Sequence, residues 1–162
     1  MDPAGPYFSH NHTDKRLDPT DAQYVEAVHT DCHSPMSLGI AINVGHVDFY
    51  PNGCHDQPGC STEGNGEMKS RITALIDRFA CSHRRAPTLY SIDYQKLNKC
   101  RLIGYACESY EKFKKGECSD CGKNNRDCMI FEFSEKIPSV IRPGRSYFFD
   151  VGPKPPFCGK LC

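Results

Sequence analysis

An excess of charge of either sign is missing from this 162-residue chain: twenty Lys and Arg stand against twenty Asp and Glu, a formal net charge of zero. That balance leaves no basic footprint for nucleic acid and no polybasic patch for an anionic membrane. Long apolar runs are missing too. The longest, such as residues 38–44, fall far short of the roughly 18 residues that a membrane span needs, so no transmembrane segment is expected. The N-terminus, Met1-Asp2-Pro3-Ala4-Gly5-Pro6, has neither the basic nor the apolar region of a secretory leader. There is no internal repeat and no low-complexity segment. With 38% apolar residues, the composition is globular and the length suits one domain.

Cysteine is what the chain has in excess. Eleven in 162 residues is typical of a secreted, disulfide-stapled protein rather than a cytosolic one. An odd number leaves at least one thiol without a partner inside the chain. An oxidised protein needs a route to an oxidising compartment, so the absent leader and the odd cysteine together raise the expectation of a chain missing its beginning.

Local patterns suggest the elements. Residues 1–21 read as loop until Asp18-Pro19-Thr20-Asp21, where Asp18 is placed to cap a helix start with Pro19 at its first position. Residues 24–29 read as a mostly buried strand. Residues 45–53 read as a short strand stopped by a Pro-Asn-Gly turn. Between Cys60 and Cys81 the first half is polar, while Ile72, Leu75, Ile76 and Phe79 recur at spacings of three and four, the period of an amphipathic helix. Residues 85–97 suggest a second helix with Pro87 in its first turn. Residues 100–128 hold five cysteines and many polar residues, and are expected to form a stapled surface excursion with little regular structure. Residues 146–151 read as a closing strand.

Two clusters bear chemistry on spacing alone. Cys118-Ser119-Asp120-Cys121 has the C-x-x-C spacing, but zinc needs a second pair and a redox motif needs a strand before it and a helix after it. Two small disulfide loops are the plainer reading. Asp14, Asp18 and Asp21 offer the hard oxygens that calcium prefers. On spacing alone a solvated, helix-capping acidic loop is the plainer reading.

An ordered series of motifs adds a resemblance. Met1-Asp2-Pro3-Ala4-Gly5-Pro6-Tyr7-Phe8, Leu17-Asp18-Pro19-Thr20-Asp21-Ala22, His29-Thr30-Asp31, residues 45–53, Gln57-Pro58-Gly59-Cys60 and Cys81-Ser82-His83-Arg84-Arg85 closely resemble the second half of the catalytic domain in the animal secreted lipases. That family includes pancreatic lipase, lipoprotein lipase and the phospholipases A1. The resemblance covers essentially the whole chain. It implies an α/β fold, part of an α/β-hydrolase sheet whose nucleophile-bearing N-terminal half is absent, with Met1 an internal residue.

The same resemblance implies roles. Asp2 would be the triad acid and His83 the general base, which suits a reaction that needs an imidazole oriented by a buried carboxylate. No serine stands in the G-x-S-x-G frame of the nucleophile elbow. The chain alone would therefore lack covalent catalysis. Calcium is the implied structural cofactor, held by the Asp18 and Asp21 carboxylates with backbone oxygens of Thr13 and Arg16; no organic cofactor is implied. Asn11-His12-Thr13 is a glycosylation acceptor sequence beside that loop. Cys60 and Cys81 would anchor a lid over residues 61–80 that meets a lipid–water interface. Cys107 with Cys118, Cys121 with Cys128, and Cys100 with Cys158 would pair, leaving Cys32, Cys54 and Cys162 open. No C-terminal β-sandwich domain is expected.

The implied function is a secreted carboxylic ester hydrolase of triacylglycerol or phospholipid, present here as a fragment. Its partners would be lipid and the missing N-terminal half. The rival readings are a non-catalytic lipid-binding or storage protein and a subunit completed by another chain.

Overall fold

A computed structural model describes residues 1–8, 12–34, 36–60, 71–97, 100–132, 137–139 and 141–158; for residues 71–79 and 95 the backbone alone is described. Five strands form one sheet among these residues: β1 (Glu26–Val28), β2 (Val47–Pro51), β3 (Leu102–Ala106), β4 (Cys128–Phe131) and β5 (Ser146–Phe149). Their spatial order is β1-β2-β5-β3-β4. The first three in that order are parallel, and β3 runs antiparallel to both β5 and β4. The closing strand of the sequence thus lies at the centre of the sheet. The fold is mixed α/β, consistent with part of a lipase sheet.

The sequence of β2 explains its place. All five of its residues are buried, as a strand flanked on both edges and covered on both faces requires. Period-two alternation sends Val47 and Phe49 to one face and Asp48 and Tyr50 to the other. On the first face Phe49 meets Phe131, Tyr147 and Phe149, and Ala86 and Leu89 close the cluster. Gly104 of β3 is required there, because a Cβ would lie 2.9 Å from both the Phe49 ring and the Tyr147 side chain. On the second face Tyr50 and Phe148 pack with Tyr110 and Phe113.

Two sequence expectations need correction. The second helix over residues 85–97 does not exist as such. One helix, α1 (Arg71–Tyr90), runs unbroken from within the expected lid, with Pro87 inside it; only a short 3-10 turn follows at Tyr94–Lys96. Likewise, residues 100–128 are not mostly irregular. They contain β3 and a short helix, α2 (Tyr110–Lys114), capped by the Ser109 side chain accepting from the Lys112 amide. Cysteine density concealed the alternating burial of Leu102 and Gly104.

Five disulfides staple this frame: Cys32–Cys54, Cys60–Cys81, Cys100–Cys158, Cys107–Cys118 and Cys121–Cys128. Four are the implied pairs, and the fifth joins two of the three cysteines left open. Cys162 lies outside the described residues, as do Asn11 and residues 61–70 of the expected lid. Among the described residues no helix is long and apolar enough to cross a membrane.

Candidate active site

Asp2 and His83, 81 residues apart, are brought together: His83 Nδ1 lies 2.7 Å from Asp2 Oδ2. The Asp2 side chain is fully buried and that of His83 is 36% exposed. The carboxylate is held from several sides. Its Oδ1 accepts from the Thr30 amide at 2.8 Å and, more distantly, from the Asp31 amide at 3.4 Å. The Asp2 amide donates to the Val28 carbonyl at 2.6 Å, which carries the start of the chain alongside the end of β1. Asp2 has φ 43°, a left-handed conformation in which Asp is among the better tolerated residues. Gly39 closes the pocket: a Cβ there would lie 2.5 Å from Asp2 Oδ1, so this position accepts no side chain.

Burial pushes the Asp2 carboxyl above the usual carboxylate range, while the Thr30 amide and the His83 imidazole pull it back. Donors converge on both carboxyl oxygens, an arrangement suited to the ionised form. His83 Nδ1–H then donates to Oδ2, which directs the imidazole's Nε2 away from the carboxylate.

The helix that carries His83 is fixed to the loop after β2 by three links. The Gln57 amide donates to Ser82 Oγ at 3.1 Å, Arg85 donates to the Pro58 carbonyl at 2.8 Å, and Cys81 is bonded to Cys60. Pro87 makes possible a further link, to the strand end. It has no N–H to give the carbonyl four residues back, which is that of His83, and Thr30 Oγ1 donates to that carbonyl instead at 3.5 Å. Thr30 therefore touches both members of the pair. In the sequence, His29-Thr30-Asp31 and Gln57-Pro58-Gly59-Cys60 stand out as motifs, but nothing there gives Thr30 or Gln57 a task. Gln57 stands between exposed Asp56 and half-buried Pro58, and Thr30 between two other polar residues, so no apolar pattern singles out either.

The acidic loop is arranged differently. Thr13 starts a 3-10 turn over Thr13–Lys15, with Arg16 just after it. Asp18 and Asp21 form a reciprocal capping box around Pro19–Asp21: Asp18 Oδ1 accepts from the Thr20 amide and Asp21 Oδ2 from the Asp18 amide. The bonds from Thr20 hold the half-buried Asp18 carboxyl below its ordinary range. Among the described residues, no three His, Cys, Asp or Glu side chains converge on a common metal position. A hollow of about 590 Å³ lies beside the loop, lined by Met1, Phe8, Arg16, Asp21 and Ile40 among others.

Apolar side chains are exposed on the two segments that flank Asp2. Ala4 and Gly39 pair antiparallel, and the Gly5 amide donates to the Leu38 carbonyl at 2.7 Å. Tyr7, Met36 and Leu38, beside this pairing, are 102%, 59% and 39% exposed.

The family model described as Lipase matches residues 1–157. The chain belongs to the lipase family. Similar relatives of this lipase-family chain include Lipase member H-A of Xenopus laevis, 38% identical over 98% of this chain and 33% of the relative. Lipase member H of Mus musculus is 39% identical over 98% of this chain and 34% of its own. Phospholipase A1 member A of Bos taurus is 43% identical over 75% and 24%. This lipase chain thus spans about a third of the length of the curated relatives it matches.

Proposed function

We propose that this chain supplies the acid and base of the active site in a secreted carboxylic ester hydrolase acting on triacylglycerol or phospholipid. The observation that carries the reading is the His83–Asp2 pair, with a buried carboxylate behind a partly exposed imidazole. In an ester hydrolysis His83 Nε2 takes the proton of an attacking serine hydroxyl and returns it to the leaving alcohol. Asp2 holds the imidazole at Nδ1 and stabilises the cation formed in between. The serine and the oxyanion-hole donors come from outside these 162 residues, in a preceding segment or a second chain. By itself the chain has no nucleophile to acylate and is expected not to turn over.

The exposed Tyr7, Met36 and Leu38 support a lipid substrate, since they place apolar surface on the segments next to the acid. Five disulfides fit an oxidising, extracellular setting. The lid reading for residues 61–80 gains support from the Cys60–Cys81 bond and from α1 beginning inside that span. Calcium fits the donor chemistry of Asp18 and Asp21 with backbone oxygens of Thr13 and Arg16. Its contribution would be rigidity, and the ion would share the carboxylates with the capping box.

The test is reconstitution. The chain is co-expressed with a serine-bearing segment of a lipase-family protein, and release of fatty acid from triacylglycerol and from phospholipid is measured. Hydrolysis that requires both parts and disappears with His83→Ala supports the reading. Hydrolysis that survives His83→Ala overturns it.

A further inference from the structure

We propose that Gln57 is a positioning residue that holds Asp2 and His83 in register with each other. The proposal rests on the reading of that pair as acid and base, and extends it to a side chain that touches neither. Gln57 is 1% exposed and sits in the loop that follows β2. Its Nε2 has two hydrogens and faces three carbonyls: Thr30 at 3.1 Å, Pro51 at 3.0 Å and His55 at 3.0 Å. At least one hydrogen is shared. Its Oε1 accepts from Asn52 Nδ2 at 3.1 Å, and its amide donates to Ser82 Oγ at 3.1 Å.

Two of these bonds lead to the pair. Thr30, held at its carbonyl by Gln57, gives its own amide to Asp2 Oδ1 and its hydroxyl to the His83 carbonyl. Ser82, held at its hydroxyl, precedes His83 in α1. One buried residue thus ties the strand end that presents the acid to the helix turn that presents the base. Glutamine suits the place on chemical grounds. A glutamate would turn a second acceptor toward three carbonyls, and a leucine would leave buried acceptors without donors. Asparagine is shorter by one methylene and would not reach all three.

A glutamine that only satisfied the acceptors of its own turn would affect stability and leave the pair's geometry alone. The experiment separates the two roles by nuclear magnetic resonance on the disulfide-bonded chain. The resonance read is that of the His83 Nδ1 proton, moved downfield by its bond to a carboxylate. In Gln57→Leu this resonance is expected to be lost while the amide spectrum of the sheet persists. In Ser82→Ala, which keeps the Gln57 side chain and removes only the helix-side acceptor, it is expected to shift.

An unchanged His83 resonance in folded Gln57→Leu overturns the proposal. If that variant fails to fold, Ser82→Ala decides, and an unshifted resonance there overturns it. Asp2→Asn in the reconstituted enzyme keeps the two readings apart. Hydrolysis that survives Asp2→Asn, together with loss of the resonance in Gln57→Leu, overturns the catalytic reading and leaves the positioning role standing.

Discussion

Two histidine–aspartate pairs lie on the same sheet framework, and they differ in what the imidazole has left to do. His83 uses Nδ1 on Asp2 and keeps a third of its side chain exposed. His29 has no such edge. Its Nδ1 lies 3.0 Å from the Ile40 carbonyl and its Nε2 2.8 Å from Asp48 Oδ1, both side chains are fully buried, and its ring stacks on Tyr50 at 4.4 Å. Asp48 in turn accepts from the Val44 and Gly45 amides. Both nitrogens of His29 are engaged by oxygens inside the sealed core, so neither can reach a substrate proton. Hydrogen bonding to carboxylate is common to the two pairs. Access is what separates a candidate base from a structural clasp.

The sharpest test of that contrast is on hydrolysis in the reconstituted enzyme. Asp2→Asn is expected to lower kcat by about 10⁴-fold through the wrong tautomer while the chain stays folded. A loss under about tenfold would erase the distinction between the pairs. The opposite variant probes the clasp: His29→Ala takes one hydrogen-bond partner from the buried Asp48 carboxyl and leaves a cavity beside the Tyr50 ring, and is expected to cost about 3–5 kcal/mol in denaturant unfolding. A cost no greater than that of His83→Ala would break the comparison from the other side.

A third acid sharpens the point, because its partners are phenols rather than an imidazole. Glu26 accepts from the Tyr24 and Tyr90 hydroxyls, and burial pushes its carboxyl up to about 7. A raised carboxyl means that the unfolded chain gives up its proton first. Stability is therefore full below the ordinary value of 4.5 and declines as pH rises toward 7, by up to about 3 kcal/mol. Glu26→Gln is expected to flatten that slope in unfolding curves taken between these values, and an unaltered slope would assign it to other groups. The smallest effect concerns fit alone. Gly39→Ala displaces the Asp2 carboxylate and is expected to lower hydrolysis by about 10²-fold, the scale of a misplacement near 1 Å. Unreduced kcat in the Gly39→Ala enzyme would mean that the pocket is wider than the structure shows.

Much of the site was legible beforehand. Asp2 and His83 stood in motifs whose order carried them, and the Asp18–Asp21 box was readable because a cap is a matter of four adjacent residues. Elements set by local rules appeared where expected, β2 with its Pro-Asn-Gly stop above all. The errors came where distant contacts decide. Pro87 suggested a helix start, yet it sits inside α1, where Thr30 takes up the carbonyl it leaves unserved. The cysteine-rich stretch suggested irregular chain, yet pairing with β5 and β4 makes its first part a strand.

The sequence by itself carried the ordered motifs that place the chain in its family, because motifs are residue types at fixed spacings, and the resemblance they bear implied Asp2 and His83 as candidate acid and base and four of the five disulfides seen. The tertiary structure alone decided which histidine is usable and which is sealed. It also revealed that Thr30 and Gln57 join the two halves of the pair. Burial and hydrogen-bond direction depend on what packs around a side chain, and those neighbours come from strands and loops far away along the chain.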